Sequence, residues 1–264
     1  MLSLVMVAAA FQEATVPQNL EDGRKLVFSD EFDAAGAVDR AKWGFENGRI
    51  RNDEQQWFTG DRPLNSFVAE GRLVVQARRE CWDVQDYTSA SLYALRPILH
   101  ARVEVRAKLP AGKGLASLVW LVSTRYPQVP WPDCGQVSLL QHAGAIPDEV
   151  GVVVNTKAQN VELGNEVSES LTVPKLTEGF HTFTLDWTPD DLSVEVDGEE
   201  AVTYEKDPKD PASWPFGDPM TLKIQLGVGG GLGETQETGK DFKHGVDVTM
   251  FPKQLLVDYV RVYE

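Results

Sequence analysis

Short segments that alternate between apolar and polar residues, or that are rich in β-branched residues, recur along this chain from about residue 25 onward. The clearest of them are 72–80 (RLVVQARRE), 101–110 (ARVEVRAKLP), 181–187 (HTFTLDW), 192–198 (LSVEVDG) and 255–264 (LLVDYVRVYE). Alternation with period two places the apolar side chains on one face of a strand. No stretch of a dozen residues holds a helical period. The sequence therefore predicts an all-β sandwich or barrel with Gly- and Pro-containing turns, such as the Asp-Gly turn at 197–198.

Length and charge limit the domain organisation and the partners. The chain has 264 residues, of which 42% are hydrophobic, and this suffices for one large core over residues 25–264. It carries 40 acidic and 25 basic residues, a formal net charge of −15. A nucleic-acid partner or an anionic membrane surface would require a basic patch, so we expect neither. We expect a monomer with a self-repelling surface and no membrane insertion.

The first residues differ in character from the rest of the chain. An apolar run extends from Leu2 to Phe11 and contains three successive alanines at 8–10. This run matches the apolar core and small-residue cleavage site of a secretory signal, although no Lys or Arg precedes it, and it is too short to span a bilayer. We predict that residues 1–20 are a signal or leader segment and that the protein is exported to the periplasm or the medium. Cys81 and Cys134 could pair in such an oxidising compartment.

The segment 134–144 (CGQVSLLQHAG) combines a polar and an apolar face. In a strand, Gln136 and Ser138 share one face, and Gln141 joins them only if a β-bulge absorbs one extra residue. The neighbouring Val, Leu and Leu at 137, 139 and 140 then face the core. The pattern predicts a polar, uncharged row on the open side of a sheet.

Several segments in sequence order resemble glycoside hydrolase family 16, the laminarinase, lichenase and agarase group. They are 26–33 (LVFSDEFD), 39–43 (DRAKW), 52–60 (NDEQQWFTG), 65–80 (NSFVAEGRLVVQARRE), 87–92 (YTSASL), 101–114 (ARVEVRAKLPAGKG), 180–200 (FHTFTLDWTPDDLSVEVDGEE), 214–231 (WPFGDPMTLKIQLGVGGG) and 251–264 (FPKQLLVDYVRVYE). The resemblance implies a β-jelly roll (concanavalin A-like) of two packed antiparallel sheets, with a cleft on the concave face.

The resemblance also identifies the row at 136–141 with the catalytic strand of that family, whose motif is Glu-x-Asp-x-x-Glu. In the family, the first Glu is the nucleophile, the Asp tunes it and the second Glu is the acid/base; here these positions hold Gln136, Ser138 and Gln141. A retaining glycosidase needs two carboxyl groups about 5–5.5 Å apart. A Gln amide has no titratable proton near neutral pH, but it can still exchange hydrogen bonds with sugar hydroxyls. The sequence therefore predicts that efficient hydrolysis is lost.

Other positions depart from the family pattern as well. Ala116 stands where the family has a sugar-stacking Trp, Asn155 where a His is common, Gln225 where Asn is usual, and Ala90-Ser91 where a Gly-Arg pair is usual, whereas Trp120 is retained.

Three functions remain open at this stage. The first is binding of a polysaccharide, a β-glucan or a related polymer, without efficient hydrolysis. Its candidate polar ligand-binding residues are Gln136, Ser138, Gln141, Asn155 and Gln225. Four tryptophans are candidate stacking platforms or, alternatively, core residues: Trp57, Trp120, Trp131 and Trp214. The second is hydrolysis or transglycosylation by a displaced constellation, for which His142, Asp133 and Glu149 are candidates. The third is a structural or protein-interaction module that has kept only the fold.

The resemblance further implies a structural Ca²⁺, and no other cofactor is required. Asp258 matches the family's ligand on the last strand, and Glu31 and Gly71 are candidate neighbours. Oxygen ligands of this kind suit Ca²⁺. The alternative for Asp258 is a carboxylate that is satisfied within the protein.

Overall fold

The computed structural model describes residues 16–234 and 245–264, and its regular structure is almost entirely β-strand. Of the predicted leader segment, residues 1–15 lie outside the described residues. The strands form two sheets, which we call the larger sheet and the concave sheet.

The larger sheet has eleven strands, in the order β16-β15-β14-β9-β18-β6-β7-β4-β3, with β1 paired to β18 and β5 to β6. The bounds are β1 Leu26–Asp30, β3 Asn47–Gly48, β4 Gln56–Thr59, β5 Ser66–Ala69, β6 Arg72–Trp82, β7 Gln85–Ser89, β9 Arg102–Lys108, β14 His181–Trp187, β15 Asp191–Val196, β16 Glu199–Glu205 and β18 Lys253–Tyr263. All pairings in it are antiparallel except that of β4 with β7.

The concave sheet has seven antiparallel strands, in the order β13-β12-β11-β10-β17-β8-β2. Their bounds are β2 Trp43–Phe45, β8 Ser91–Ala94, β10 Leu115–Ser123, β11 Gln136–Ala143, β12 Glu149–Asn155, β13 Val167–Thr172 and β17 Met220–Val228. Two short helices complete the described structure, a 3₁₀ turn at Pro211–Ser213 and α1 at Gly230–Gly233.

The main core lies between the two sheets and follows from the alternation in the sequence. In β9, Val103, Val105 and Ala107 are buried, while the charged residues between them are partly exposed. Strand β10 differs because every one of its residues is buried. One of its faces packs into the main core, and the other belongs to a second apolar cluster on the opposite side of the concave sheet.

The predicted two-sheet, all-β architecture is thus confirmed. The segment predicted at 181–187 is β14 to the residue, and the Asp-Gly turn joins β15 to β16 with positive φ at Asp197 (53°) and Gly198 (84°), as a tight hairpin turn requires. Cys81 is exposed and Cys134 is buried, and both are free thiols. Within 16–234 and 245–264, no helix has the length and apolarity needed to cross a membrane.

Candidate functional site

A β-bulge in β11 aligns the three polar residues of the predicted row. Leu140 pairs with Val119 of β10 and Ser138 pairs with the next residue, Trp120, so Leu139 is the extra residue. The bulge expected from the spacing is therefore present. It lets Gln136, Ser138 and Gln141 face the same side, while residues 137, 139 and 140 are buried in the main core.

The three side chains of this row are joined by hydrogen bonds. The Ser138 hydroxyl oxygen accepts from Gln136 Nε2 (3.2 Å) and from Gln141 Nε2 (3.0 Å). Trp131 Nε1 donates to Gln136 Oε1 (2.8 Å). All four groups are uncharged near neutral pH, so the row can exchange hydrogen bonds but cannot act as an acid or as an ionised nucleophile.

Cross-strand pairing extends this face over five strands of the concave sheet. Three rows cross it: Thr221, Val122, Gln136 and Asn155; Tyr93, Lys223, Trp120, Ser138 and Val153; and Ser91, Gln225, Leu118, Gln141 and Gly151. Directly paired residues point to the same side of a sheet. The sequence-predicted Gln136, Ser138, Gln141, Asn155, Gln225 and Trp120 therefore share one face, which we call the cleft floor.

The centre of the cleft floor is apolar. Ala116, Leu118, Trp120, Val122 and Cys134 form the second apolar cluster, and Val129, Trp131 and Leu232 pack against it. Trp120 is only 6% exposed, so its ring is buried within this cluster. Among the predicted residues on or beside the cleft floor, Trp131, Gln136 and Gln141 are partly exposed.

Two of the four candidate tryptophans do not share the cleft floor. Trp214 is 9% exposed and lies in the main core, where its ring stacks on Tyr204 (centroids 6.0 Å apart) and meets the Phe216 ring edge-on. Trp57 alternates with the buried Gln56 and Phe58 of β4, so it lies on the opposite face of that strand. Its Nε1 donates to Asn47 Oδ1 at 3.0 Å.

Asn155 and Gln225 reach the cleft floor but are engaged within the protein. Asn155 Oδ1 accepts from the backbone N–H of Val161 (3.1 Å) and so holds the loop that follows β12. Gln225 donates from Nε2 to Glu54 Oε1 (2.9 Å), and its Oε1 accepts from Arg51. Both side chains therefore act first as structural supports of the floor.

Sequence reasoning missed a group of charged residues at one side of the cleft floor. Glu46 accepts hydrogen bonds from Arg51 (2.5 Å), from Lys223 Nζ (2.7 Å) and from Ser91 Oγ (2.6 Å). Burial raises the pKa of Glu46, but the hydrogen bonds and charges of Arg51 and Lys223 outweigh burial and bring it down to about 2. Glu46 is thus firmly ionised.

Glu54 is the second carboxyl group of this region, and its environment is the opposite. It is 3% exposed and accepts hydrogen bonds from the amides of Gln56 (2.5 Å), Gln225 (2.9 Å) and Asn52 (3.3 Å). Burial raises the pKa of Glu54 in spite of these donors. Gly227 makes room for it, since a Cβ at that position would lie 3.3 Å from the carboxyl group.

The residues proposed for a displaced catalytic set are not brought together. His142 is buried and its Nδ1 bonds to the backbone carbonyl of Glu149 (2.8 Å), not to its carboxylate. Asp133 pairs with Lys157 at 2.6 Å. In the described part of the chain, the carboxyl groups that bond to side chains of the cleft floor are those of Glu46 and Glu54. The family-like segment 52–60 was the only sequence signal, and it contains Glu54 alone.

The residues predicted to hold Ca²⁺ meet at one pocket on the larger sheet. Glu31, Gly71 and Asp258 line a cavity of about 420 Å³ together with Arg106 and Arg261. Arg261 donates to both carboxylate oxygens of Glu31 (3.0 and 2.8 Å), and Arg106 donates to Asp258 Oδ2.

Within the described ranges, no three His, Cys, Asp or Glu side chains converge as a metal site. A Ca²⁺ ion here would therefore need the carboxylate oxygen of Asp258 that Arg106 does not contact, together with backbone carbonyl oxygens or water. The calcium site stays a prediction.

The fold and the sequence both match known proteins. The family model "Glycosyl hydrolases family 16" matches residues 52–247. A β-glucanase of Rhodothermus marinus is 37% identical over 250 residues, which is 90% of this chain and 85% of that protein.

Two solved structures show the same architecture. The laminarinase of Rhodothermus marinus superposes with a TM-score of 0.84 at 37% identity, over 91% of this chain and 97% of that one. SCLam, a non-specific endo-β-1,3(4)-glucanase, was crystallised as a glutamate-to-serine mutant that presents 1,3-β-D-cellobiosyl-glucose at its active site. That structure has a TM-score of 0.85 at 32% identity, over 94% of this chain and 98% of the other. The predicted β-jelly roll is confirmed.

Proposed function

The chain belongs to family 16 of the glycosyl hydrolases, and from that premise we propose that it binds a β-glucan or related polysaccharide in its cleft without efficient hydrolysis. The observation that carries the proposal is the uncharged row of Gln136, Ser138 and Gln141 on the bulged strand β11. The sugar class follows from the relatives, which are a β-glucanase and a laminarinase.

The row lacks what the retaining reaction requires. Loss of a positioned acid/base group alone costs about 10²–10⁴ in rate. With Gln136 in place of a carboxylate nucleophile, the covalent glycosyl-enzyme route is also closed. The Ser138 hydroxyl is no substitute, because its hydrogen-bond partners in the described part of the chain are two amides, and neither can take its proton.

Binding makes smaller demands, and the partly exposed residues meet them. Gln136, Gln141 and Trp131 offer amide donors and acceptors beside an aromatic ring, the combination that recognises sugar hydroxyls and the apolar face of a pyranose. The SCLam mutant supports this reading, since that protein presents an oligosaccharide at its active site with one glutamate replaced by serine.

A second candidate function is hydrolysis by Glu46 and Glu54. In favour of it, the two carboxyl groups have pKa values displaced in opposite directions, as in acid/nucleophile pairs. Against it, Glu46 is engaged by three donors and Glu54 by three amides, and Glu54 is almost fully buried. Neither carboxyl group presents a free oxygen atom to the cleft, so we favour binding.

The test combines two assays on the purified protein. Reducing-sugar release from laminarin, lichenan, agarose and xyloglucan is measured beside affinity electrophoresis in gels that contain the same polymers. We expect retardation by at least one polymer and no release above background. The variant Gln136→Glu/Gln141→Glu, with and without Ser138→Asp, should gain release of at least about 10²-fold over the wild type.

The control variant is Gln18→Glu/Gln254→Glu, which adds the same two charges at exposed positions. It should gain nothing. Release by the wild-type protein would contradict the proposal; in that case Glu46→Gln and Glu54→Gln would each have to abolish it if these carboxyl groups are the catalysts. Absence of both release and retardation would favour the protein-interaction module.

Export of the protein is a separate proposal and rests on the apolar run at 2–11. N-terminal sequencing of the protein secreted by a bacterial host would test it, and we expect cleavage near the alanines at 8–10.

A further inference from the structure

Two cationic side chains reach the cleft floor around Trp120. The Arg51 guanidinium carbon lies 5.4 Å from the centre of the Trp120 ring, and Lys223 Nζ lies 5.9 Å from it. Arg51 and Lys223 lie more than a hundred residues apart in the sequence. Strand β17 places Lys223 directly opposite Trp120 of β10 in the cross-strand register. Both cations form ion pairs with Glu46.

A single carboxylate, Glu46, forms ion pairs with both cations. Among the described ion pairs, Glu54 contacts neither Arg51 nor Lys223, and its hydrogen-bond partners are amides. Burial raises the pKa of Glu54, and the nearby Arg51 charge opposes that shift. The row on β11, where the family motif would place three carboxyl groups, adds no charge. Among the described ion pairs, the two cations of the cleft floor thus share Glu46 as their partner, in a chain whose formal net charge is −15.

Lys223 has the capacity to bind an additional anion. Its ammonium group has three N–H donors, and the hydrogen bond to Glu46 uses one of them. The side chain is 13% exposed, so most of it is shielded from water, which strengthens its interaction with a charged ligand. Lys223 Nζ also lies 5.9 Å from the ring centre of Trp120 on the adjacent strand, within the range of a cation–π contact.

We propose that the polysaccharide bound in this cleft carries an anionic substituent, a uronate carboxylate or a sulfate, which Lys223 and Arg51 bind. The inference rests on the proposed function and specifies its ligand. Hydrogen bonds between an ammonium group and a carboxylate or sulfate are about twice as strong as neutral ones. We expect the anionic polymer to bind about tenfold more tightly than its neutral counterpart, and about tenfold corresponds to about 1.4 kcal/mol.

The experiment uses three forms of one backbone, so that only the charge differs: laminarin, laminarin oxidised to the carboxylate at C6, and sulfated laminarin. Affinities for the full-length protein are measured by isothermal titration calorimetry at low and at high salt. We expect one or both anionic forms to bind about tenfold more tightly at low salt, and the advantage to shrink at 1 M salt, where the Debye length falls to about 3 Å. Which form is preferred distinguishes a uronate from a sulfate.

Variants locate the preference in the cleft. Lys223→Met should reduce the affinity for the anionic form to the neutral level, Lys223→Arg should retain part of the preference, and Arg51→Gln should weaken it. Lys206→Met is the matched control, because it removes one lysine charge from the exposed pair with Asp190, and it should change nothing.

Equal affinity for neutral and anionic laminarin would overturn this inference and leave the proposed function intact. A preference for the anion that persists in Lys223→Met, or that Lys206→Met removes, would overturn the assignment to the cleft. Failure of all three laminarin forms to bind would overturn the inference; the proposed function falls as well only if lichenan, agarose and xyloglucan also cause no retardation.

Discussion

The two faces of strand β11 differ in how much of the family 16 pattern they retain. Its core-facing residues Val137 and Leu140 are fully buried between the sheets, as any sandwich of this kind requires. Its cleft-facing residues Gln136 and Gln141 have the positions that the family motif gives to carboxylates but have amides instead. Successive side chains of a strand point to opposite faces. The residues of β11 that pack in the core and those that face the cleft can therefore differ independently.

The bulge explains how the separation is possible. Because Leu139 is the extra residue, the strand returns to the same face at Gln141 whatever the polar side chains are. The geometry of the row depends on the backbone and on the core, and its reactivity depends on three side chains that the core does not contact. Core residues therefore determine the fold and the geometry of the row, and the cleft-facing side chains determine its chemistry.

The largest effect is expected from a truncation on the core-facing side. Leu140→Ala should lower the free energy of unfolding by about 2–5 kcal/mol, because it leaves a cavity in a close-packed region. Its neighbour Gln141→Ala should cost about 1 kcal/mol, since it removes a single neutral hydrogen bond. Urea denaturation of both variants measures the difference, and equal losses would contradict the assignment of the two faces.

The cleft side has one place where charge should matter for stability. The pKa of Glu46 is held at about 2, below its ordinary value of 4.5, so its ion pairs contribute fully above pH 4.5 and are lost as the pH falls towards 2. That shift corresponds to about 3 kcal/mol. Glu46→Gln should remove a similar amount at pH 7 and flatten the acid limb of the stability profile.

The exposed Glu178 supplies the comparison for this prediction, because its pair with Lys175 is solvent-accessible. Glu178→Gln should change the free energy of unfolding by less than about 1 kcal/mol. If both variants unfold identically between pH 2 and pH 7, the ion pairs of Glu46 do not stabilise the cleft.

A third region, the pocket at Glu31, Gly71 and Asp258, gives a smaller expected effect. If it binds Ca²⁺, an ion concentration ten times the Kd should stabilise the protein by about 1.4 kcal/mol. The midpoint of thermal unfolding should rise on addition of CaCl₂ and return with a chelator, and Asp258→Asn should abolish the response. A wild-type midpoint that responds to neither reagent would show that Asp258 is satisfied within the protein.

The smallest effect concerns the single titratable side chain on the core-facing side of β11. Burial lowers the pKa of His142 below its ordinary value of 6.5, although a hydrogen bond to the Glu149 carbonyl opposes the shift. The folded state then resists protonation that the unfolded chain accepts, so stability should fall as the pH drops below about 6.5. His142→Gln should weaken this dependence between pH 7 and pH 5; an unchanged slope would contradict it.

The sequence predicted those parts of the structure that depend on local pattern. Strand β14, the Asp-Gly turn at 197–198 and the bulge in β11 follow from alternation, turn chemistry and spacing. The charged group at the cleft could not be predicted in this way. Glu46 and Arg51 are five residues apart, but Lys223 is 177 residues from Glu46. Lys223 comes near them because β8 pairs with both β2 and β17.

Tryptophans were ambiguous for a related reason. A Trp can serve as a core residue or as a sugar platform, and only its face in the sheet distinguishes the two. Trp214 faces the main core and Trp120 faces the cleft, a difference that neither residue's local sequence reveals.

The most direct test of the central claim follows one β-1,3-linked glucan oligosaccharide through binding. The oligosaccharide is titrated into the wild-type protein by isothermal titration calorimetry. After prolonged incubation, the mass of the recovered oligosaccharide is measured by mass spectrometry. We predict saturable binding and an oligosaccharide of unchanged mass. Saturable binding followed by recovery of shortened products would contradict the claim that the uncharged row on β11 has ended efficient hydrolysis.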